Sequence, residues 1–177
     1  SNEMFMTFLD DTMTYSCGFF EGKKDSLYQA QINKIDKIID KADIKEKHHI
    51  LEIGSGWGAL AKRAVERTGC KVTTITLSER QYSYVKNMIK NENLEDNIDI
   101  QLVDFRNVEG SYDRIVSVEM IEAIGYDLFN PYFDRIEKLM KPNGTAVIQA
   151  ITYPDDNYDI YLKGCDFIQK FIFPGSL

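Results

Sequence analysis

The chain has 177 residues, 21 basic and 28 acidic, for a net charge of −7. That length fits one domain able to bury most of its unfolded surface, and the acidic balance excludes the basic footprint of a nucleic-acid binder. Three scattered cysteines, Cys17, Cys70 and Cys165, fit a reducing, cytoplasmic setting rather than a disulfide framework, and no apolar run reaches the roughly 20 residues of a membrane span.

Met4, Phe5, Phe8 and Leu9 give residues 3–12 a short apolar face. The stretch M-T-Y-S-C-G-F-F at 13–20 is too polar and glycine-broken for a regular element. Ser26 and Gln29 form a capping box that opens a helix with Ile32, Ile35, Ile38, Ile39 and Ala42 at helical spacing. Residues 49–53 read as a buried strand ending at Gly54, and 57–68 as a helix stopped at Gly69. A β-branched strand over 72–77 precedes a second capping box, Ser78 and Gln81, which opens a helix to about Glu92. Strands follow at 98–103 and 114–118. An amphipathic helix over 128–140 is stopped by K-P-N-G at 141–144, a fifth strand covers 145–152, and a last helix is predicted over 158–173.

Strand and helix alternate five times, which predicts an α/β fold with a doubly wound, mostly parallel, Rossmann-like sheet. Without repeats or linkers the whole of 1–177 reads as one domain. Within it, 1–48 is an N-terminal segment and helix, 49–152 a cofactor-binding core, and 153–177 the start of a substrate-side region.

The two histidines, His48 and His49, are adjacent. A zinc site or a histidine-based triad would have to run through that one pair. No metal site is expected, and the pair is expected in a turn before the first strand.

L-E-I-G-S-G-W-G-A-L-A at 51–61 follows a strand and opens a helix, the context in which such glycines bind a ligand. Gly54 permits a tight turn, Gly56 lets a ligand lie against the backbone, and Gly58 lets the helix pack close to the sheet. The helix N-terminus adds free N–H groups and partial positive charge. The spacing is G-x-G-x-G, with Glu52 two residues before the first glycine. The second strand ends T-I-T-L at 74–77, without the acid a dinucleotide ribose requires. Both features argue against NAD and for the S-adenosylmethionine loop of class I methyltransferases. A packing turn is the rival reading.

Six ordered motifs carry a closer resemblance. M-T-Y-S-C-G-F-F at 13–20, the glycine turn with its tryptophan, T-L-S-E-R-Q at 76–81, D-F-R at 104–106, D-R-I-V-S-V-E-M-I-E-A-I-G at 113–125 and F-I-Q-K-F-I-F-P-G at 167–175 resemble the cyclopropane-fatty-acyl-phospholipid and mycolic acid cyclopropane synthase family. The resemblance implies S-adenosylmethionine as cofactor. Tyr15 and Ser16 would close over its methionine part, lined by Glu52, Gly54, Gly56 and Trp57. Thr76, Leu77 and Gln81 would hold the ribose, and Asp104, Phe105 and Arg106 would flank the adenine. Gln81 is also explained by capping alone, and Trp57 and Phe105 by core packing.

The implied reaction is attack of a cis double bond of a phospholipid acyl chain on the sulfonium methyl group. A carbocation forms and loses a proton as a cyclopropane ring closes. In the family the base is a bound bicarbonate ion. Cys17, Glu122, Gln149 and Ile151 match the residues expected to hold it, and Glu119 competes for the role of Glu122. The chain departs from the family at Ala123 and Gln149, where many members carry histidine. The resemblance also implies transient contact with the inner membrane surface, although no basic amphipathic helix is present to make it.

A complete class I fold has two further strands, so the core is expected to lack its last two. The fifth strand would then present an apolar edge, and self-association or strand borrowing is expected. Two alternatives stay open: a small-molecule amine N-methyltransferase, and a non-catalytic cofactor-binding module.

Overall fold

A computed structural model describes residues 2–157 together with 164, 165, 167, 170 and 171. The elements run α1 (Asn2–Phe5), α2 (Leu27–Lys41), β1 (His49–Ile53), α3 (Ala59–Thr68), β2 (Lys71–Thr76), α4 (Glu79–Asn91), β3 (Ile98–Leu102), β4 (Tyr112–Val118), α5 (Phe129–Leu139) and β5 (Met140–Gln149). All five strands pair in parallel, in the order β3-β2-β1-β4-β5. The order reverses between β1 and β4. In open α/β sheets ligands bind at that switch point, beyond the carboxyl ends of the strands.

Successive side chains of a strand point to opposite faces, and β1 feeds both cores. Ile50 joins the cluster of Ile35, Ile38, Leu60, Val65, Val85 and Ile89 from α2, α3 and α4. Leu51 and Ile53 join Ile75, Phe105, Ile115, Tyr132 and Ile136 on the other side, where α5 packs. Such two-sided burial is why β1 reads as a continuous apolar run.

Helix ends follow local chemistry. Ser26 and Ser78 cap α2 and α4 by accepting the N–H of Gln29 and Gln81. The reciprocal half of each predicted box is absent. Gln29 instead donates to Asn33 Oδ1 at 2.7 Å, and Gln81 turns to Thr76. Gly69 ends α3 in the left-handed region, its N–H on Val65 O at 2.8 Å. The helix after the glycine turn begins at Ala59 rather than 57, because Gly54, Gly56 and Gly58 all hold positive φ. Arg63 grips Asp36 with two bonds of 2.9 Å, fixing α2 against α3.

The fifth strand departs from its prediction at both ends. It begins at Met140, which pairs with Tyr112 directly after α5. The 141–144 stretch then lies within an irregular step of the ladder, between the Tyr112↔Met140 and Arg114↔Thr145 pairs. The expected stop is therefore a bulge inside the strand. Pairing ends at Gln149, so Ile151 and Thr152 lie beyond it. Among the described residues no strand pairs with the outer edge of β5. The helix predicted over 158–173 lies largely outside the described residues.

Candidate active site

The glycine turn is pinned to β2: Gly54 and Ser55 both donate to Ile75 O, at 3.1 and 2.8 Å. A Cβ on Gly56 would meet nothing within 4 Å. The turn opens into a cavity of about 1530 Å³ at the carboxyl ends of the strands. This exceeds the roughly 300–1,000 Å³ of a typical small-molecule site, leaving room for a second substrate beside a cofactor. Every residue named above for the cofactor lines it: Tyr15, Ser16, Glu52, Gly54, Gly56, Trp57, Thr76, Leu77, Gln81, Asp104, Phe105 and Arg106.

Glu52 is 4% exposed and accepts only the Thr74 hydroxyl, at 2.5 Å. With no cation beside it, burial pushes its carboxyl up to about 8. Thr76 Oγ1 donates to Gln81 Oε1 at 2.7 Å. Capping therefore does not account for the Gln81 side chain, which belongs to the cavity wall. Leu77 stands exposed at the rim. Asp104 and Arg106 hold each other by two bonds, of 2.9 and 2.7 Å, and the guanidinium keeps the Asp104 carboxyl below its usual range. Phe105 is both core and wall: it is buried edge-on against Tyr132 at 5.5 Å and also lines the cavity.

The 13–20 segment lies on α2. Phe19 N–H donates to Ala30 O at 2.9 Å, and a Cβ on Gly18 would stand 3.0 Å from Ala30 Cβ. Phe5 packs on both Tyr15 and Trp57, at 5.1 and 4.9 Å between ring centroids, so an aromatic cluster covers one side of the cavity. Beneath it are two residues that sequence reasoning missed. Gln31 donates to Ser16 O at 2.8 Å, and Lys34 Nζ to Ser16 Oγ at 2.5 Å. Lys34 is 4% exposed, and burial lowers its ammonium to about 8. Their signal was two polar residues on the inward stripe of α2, where a buried polar group is the informative exception.

At the other end of the cavity the chain turns sharply after β4. Glu119 adopts φ +48°, and its N–H continues the ladder to Gln149 O at 2.8 Å. Its Oε1 accepts Cys17 N–H at 3.0 Å and Gln149 Nε2 at 2.8 Å. Gln149 Nε2 also reaches Cys17 Sγ at 3.4 Å. Burial, with Glu119 beside it, pushes the Cys17 thiol up. Glu122 Oε1 accepts Ile151 N–H at 2.5 Å, and its Oε2 is buried without a hydrogen bond. The structure thus gathers Cys17, Gln149 and Glu119 into one knot, and Glu122 with Ile151 into another. Glu119, Glu122 and Ile151 line the cavity; Gln149 and the exposed Cys17 do not. His49 opens β1 and His48 precedes it, at the far end of that strand from the cavity.

The sequence matches the protein family described as mycolic acid cyclopropane synthetase over residues 1–177. Tuberculostearic acid methyltransferase UfaA1 of Mycobacterium tuberculosis is 41% identical over 184 residues, covering 100% of this chain and 43% of that protein. Cyclopropane mycolic acid synthase 1 of the same species is 32% identical over 186 residues, covering 99% and 64%. The crystal structure of the mycolic acid cyclopropane synthase CmaA1, complexed with SAH and CTAB, superposes with a TM-score of 0.91 at 31% identity, covering 99% of this chain and 65% of that one. The chain therefore spans less than two thirds of these relatives.

Proposed function

The chain belongs to the mycolic acid cyclopropane synthetase family, and from that premise we propose that it carries the catalytic core of an S-adenosylmethionine-dependent methyltransferase. Its acceptor is the cis double bond of an unsaturated phospholipid acyl chain, and its product a cyclopropane fatty acid. The observation that carries this reading is one cavity at the carboxyl ends of the strands. It holds the glycine turn at one end and two carboxylates at the other, and opens past the exposed Tyr126, Ile151 and Tyr153. Those rim side chains suit an acyl chain better than a small charged amine. Both relatives named above are, by their names, enzymes of long-chain lipid modification.

The residues present fit the cofactor. The open space over Gly56, the Thr76–Gln81 pair and the buried Phe105 offer a backbone cradle, hydroxyl partners and a ring face for a nucleoside. When bound, it supplies an electrophilic methyl group on a sulfonium. The protein's own contribution is then alignment in a dry pocket, worth on the order of 7–11 kcal/mol at best, and removal of one proton.

Bicarbonate fits poorly. Its expected donors, Cys17 N–H, the Gln149 amide and Ile151 N–H, are engaged by Glu119 and Glu122.

Among the described residues no helix is long and apolar enough to cross a membrane. Access to lipid is proposed to be peripheral, from the cytoplasmic side.

Incubation with methyl-labelled cofactor and vesicles of cis-monounsaturated phospholipid tests the proposal. Label is expected in the lipid, and mass spectrometry of the released acids separates a ring from a methyl branch by two hydrogens. Label passing only to added amines, or none passing while S-adenosylhomocysteine binds, refutes it.

A further inference from the structure

The wall that should hold a bicarbonate ion has spent its donors. Cys17 N–H points to Glu119 Oε1 at 3.0 Å. The Gln149 amide nitrogen is shared between Glu119 Oε1 at 2.8 Å and Cys17 Sγ at 3.4 Å, and it has two hydrogens to give. Ile151 N–H is taken by Glu122. What remains is acceptor: Glu122 Oε2, buried and unpartnered, and the second oxygen of Glu119. A further anion between two carboxylates, without free donors, meets like charge. A carboxylate is itself the planar O–C–O group that bicarbonate would bring.

Building on the proposed function, we infer that Glu119 is a resident base: its carboxylate fills the anion position between Cys17 N–H and the Gln149 amide and accepts the proton released in the reaction. Three observations support this. Glu119 lines the cavity and accepts from Cys17 N–H and the Gln149 amide, neither of which lines it. Its φ of +48° lies in the left-handed region that a non-glycine residue rarely adopts, and such strain persists where surrounding contacts over-determine it. The buried ammonium of Lys34 interacts electrostatically with Glu119 and supplies the countercharge.

In the step itself, the π pair forms the new carbon–carbon bond as the sulfur–methyl bond breaks, and that bond's pair goes to sulfur. The resulting cation loses one proton of the new methyl group to the free Glu119 oxygen, and the C–H pair closes the ring. The neutral carboxyl then returns the proton to water.

The test uses Glu119→Gln, which keeps shape and removes the base, and Glu119→Gly, which uncovers the Cys17 and Gln149 donors. Glycine tolerates the left-handed backbone at this position, so the second variant retains the fold. Binding of carbon-13-labelled bicarbonate is followed by NMR, binding of S-adenosylhomocysteine by calorimetry, and methyl transfer to lipid with and without bicarbonate. Wild type is expected to bind no bicarbonate and to turn over equally in its absence. Glu119→Gln is expected to lose about 10²-fold or more in rate at unchanged cofactor affinity. Glu119→Gly is expected to bind bicarbonate and regain rate when it is added. Bicarbonate binding or dependence in wild type, a Glu119→Gly variant that binds none, or an unimpaired Glu119→Gln variant overturns the inference. If wild type methylates no lipid, the proposed function fails and the base role with it, while the NMR measurement still decides what occupies the anion position.

Discussion

Gly56 and Gly58 stand two residues apart in one turn, and their replacement by alanine should fail in opposite ways. Both hold left-handed φ, +49° and +90°, so each alanine meets a backbone cost of about 1–2 kcal/mol. At Gly58 the new Cβ would stand 2.6 Å from Met88 Cε and 3.3 Å from both Val85 methyl carbons. Met88 can swing its tip aside. Val85 is fully buried in the α2–α4 core and β-branched, so it must shift with its neighbours. Overpacking of this kind adds about 1–3 kcal/mol, for a total of about 2–5 kcal/mol. At Gly56 the new Cβ meets nothing, and only the backbone cost applies. Ligand affinity should order the other way, because the Gly56 methyl occupies space at the cavity wall where a cofactor approaches the backbone. Urea unfolding followed by circular dichroism should rank Gly58→Ala as the less stable variant. Titration with S-adenosylhomocysteine should show at least a tenfold loss for Gly56→Ala, which is about 1.4 kcal/mol, and a smaller one for Gly58→Ala. The assigned division of labour is wrong if Gly56→Ala is the more destabilising or binds normally.

Glu52 gives a pH signature. Its carboxyl is raised by burial from 4.5 to about 8, so the folded chain binds the proton more tightly than the unfolded one. The stability this contributes is complete below pH 4.5 and is lost as pH rises toward 8, by roughly 5 kcal/mol over the window. Glu52→Gln should flatten that slope in unfolding titrations between pH 5 and pH 8, and an unchanged slope removes Glu52 as its source. Among the described residues the outer edge of β5 is unpaired, and such an edge is a template for another strand. Sedimentation at micromolar concentration is therefore expected to show association of this chain, and a clean monomer refutes pairing through that edge.

The amino-acid sequence alone determined the parts of the molecule that depend on near neighbours. The parallel sheet follows from apolar runs alternating with helical periods, and the three turn glycines from a spacing that only left-handed backbone satisfies. The starts of α2 and α4 follow from Ser26 and Ser78. These depend on a few consecutive residues and the chirality of the backbone. The start of β5 is hidden from local pattern because a turn-like K-P-N-G lies inside a strand whose register is set by Tyr112 and Arg114 on another element. For Gln81 the local pattern leaves a cap and a cofactor contact both open, and the Thr76 hydroxyl, which captures its side chain at the cavity wall, removes that side chain from the cap. Lys34 takes its meaning from its burial against Ser16. The same holds for Glu119 beside Glu122. The two carboxylates are three residues apart, and what separates their roles is Cys17, 102 positions away from Glu119, and Gln149, 30 positions away. Local pattern sets which elements form, because propensity, capping and backbone sterics act over a few residues. Which carboxylate faces which donor is decided by packing of distant strands and segments, and only the tertiary structure brings those partners within hydrogen-bonding distance.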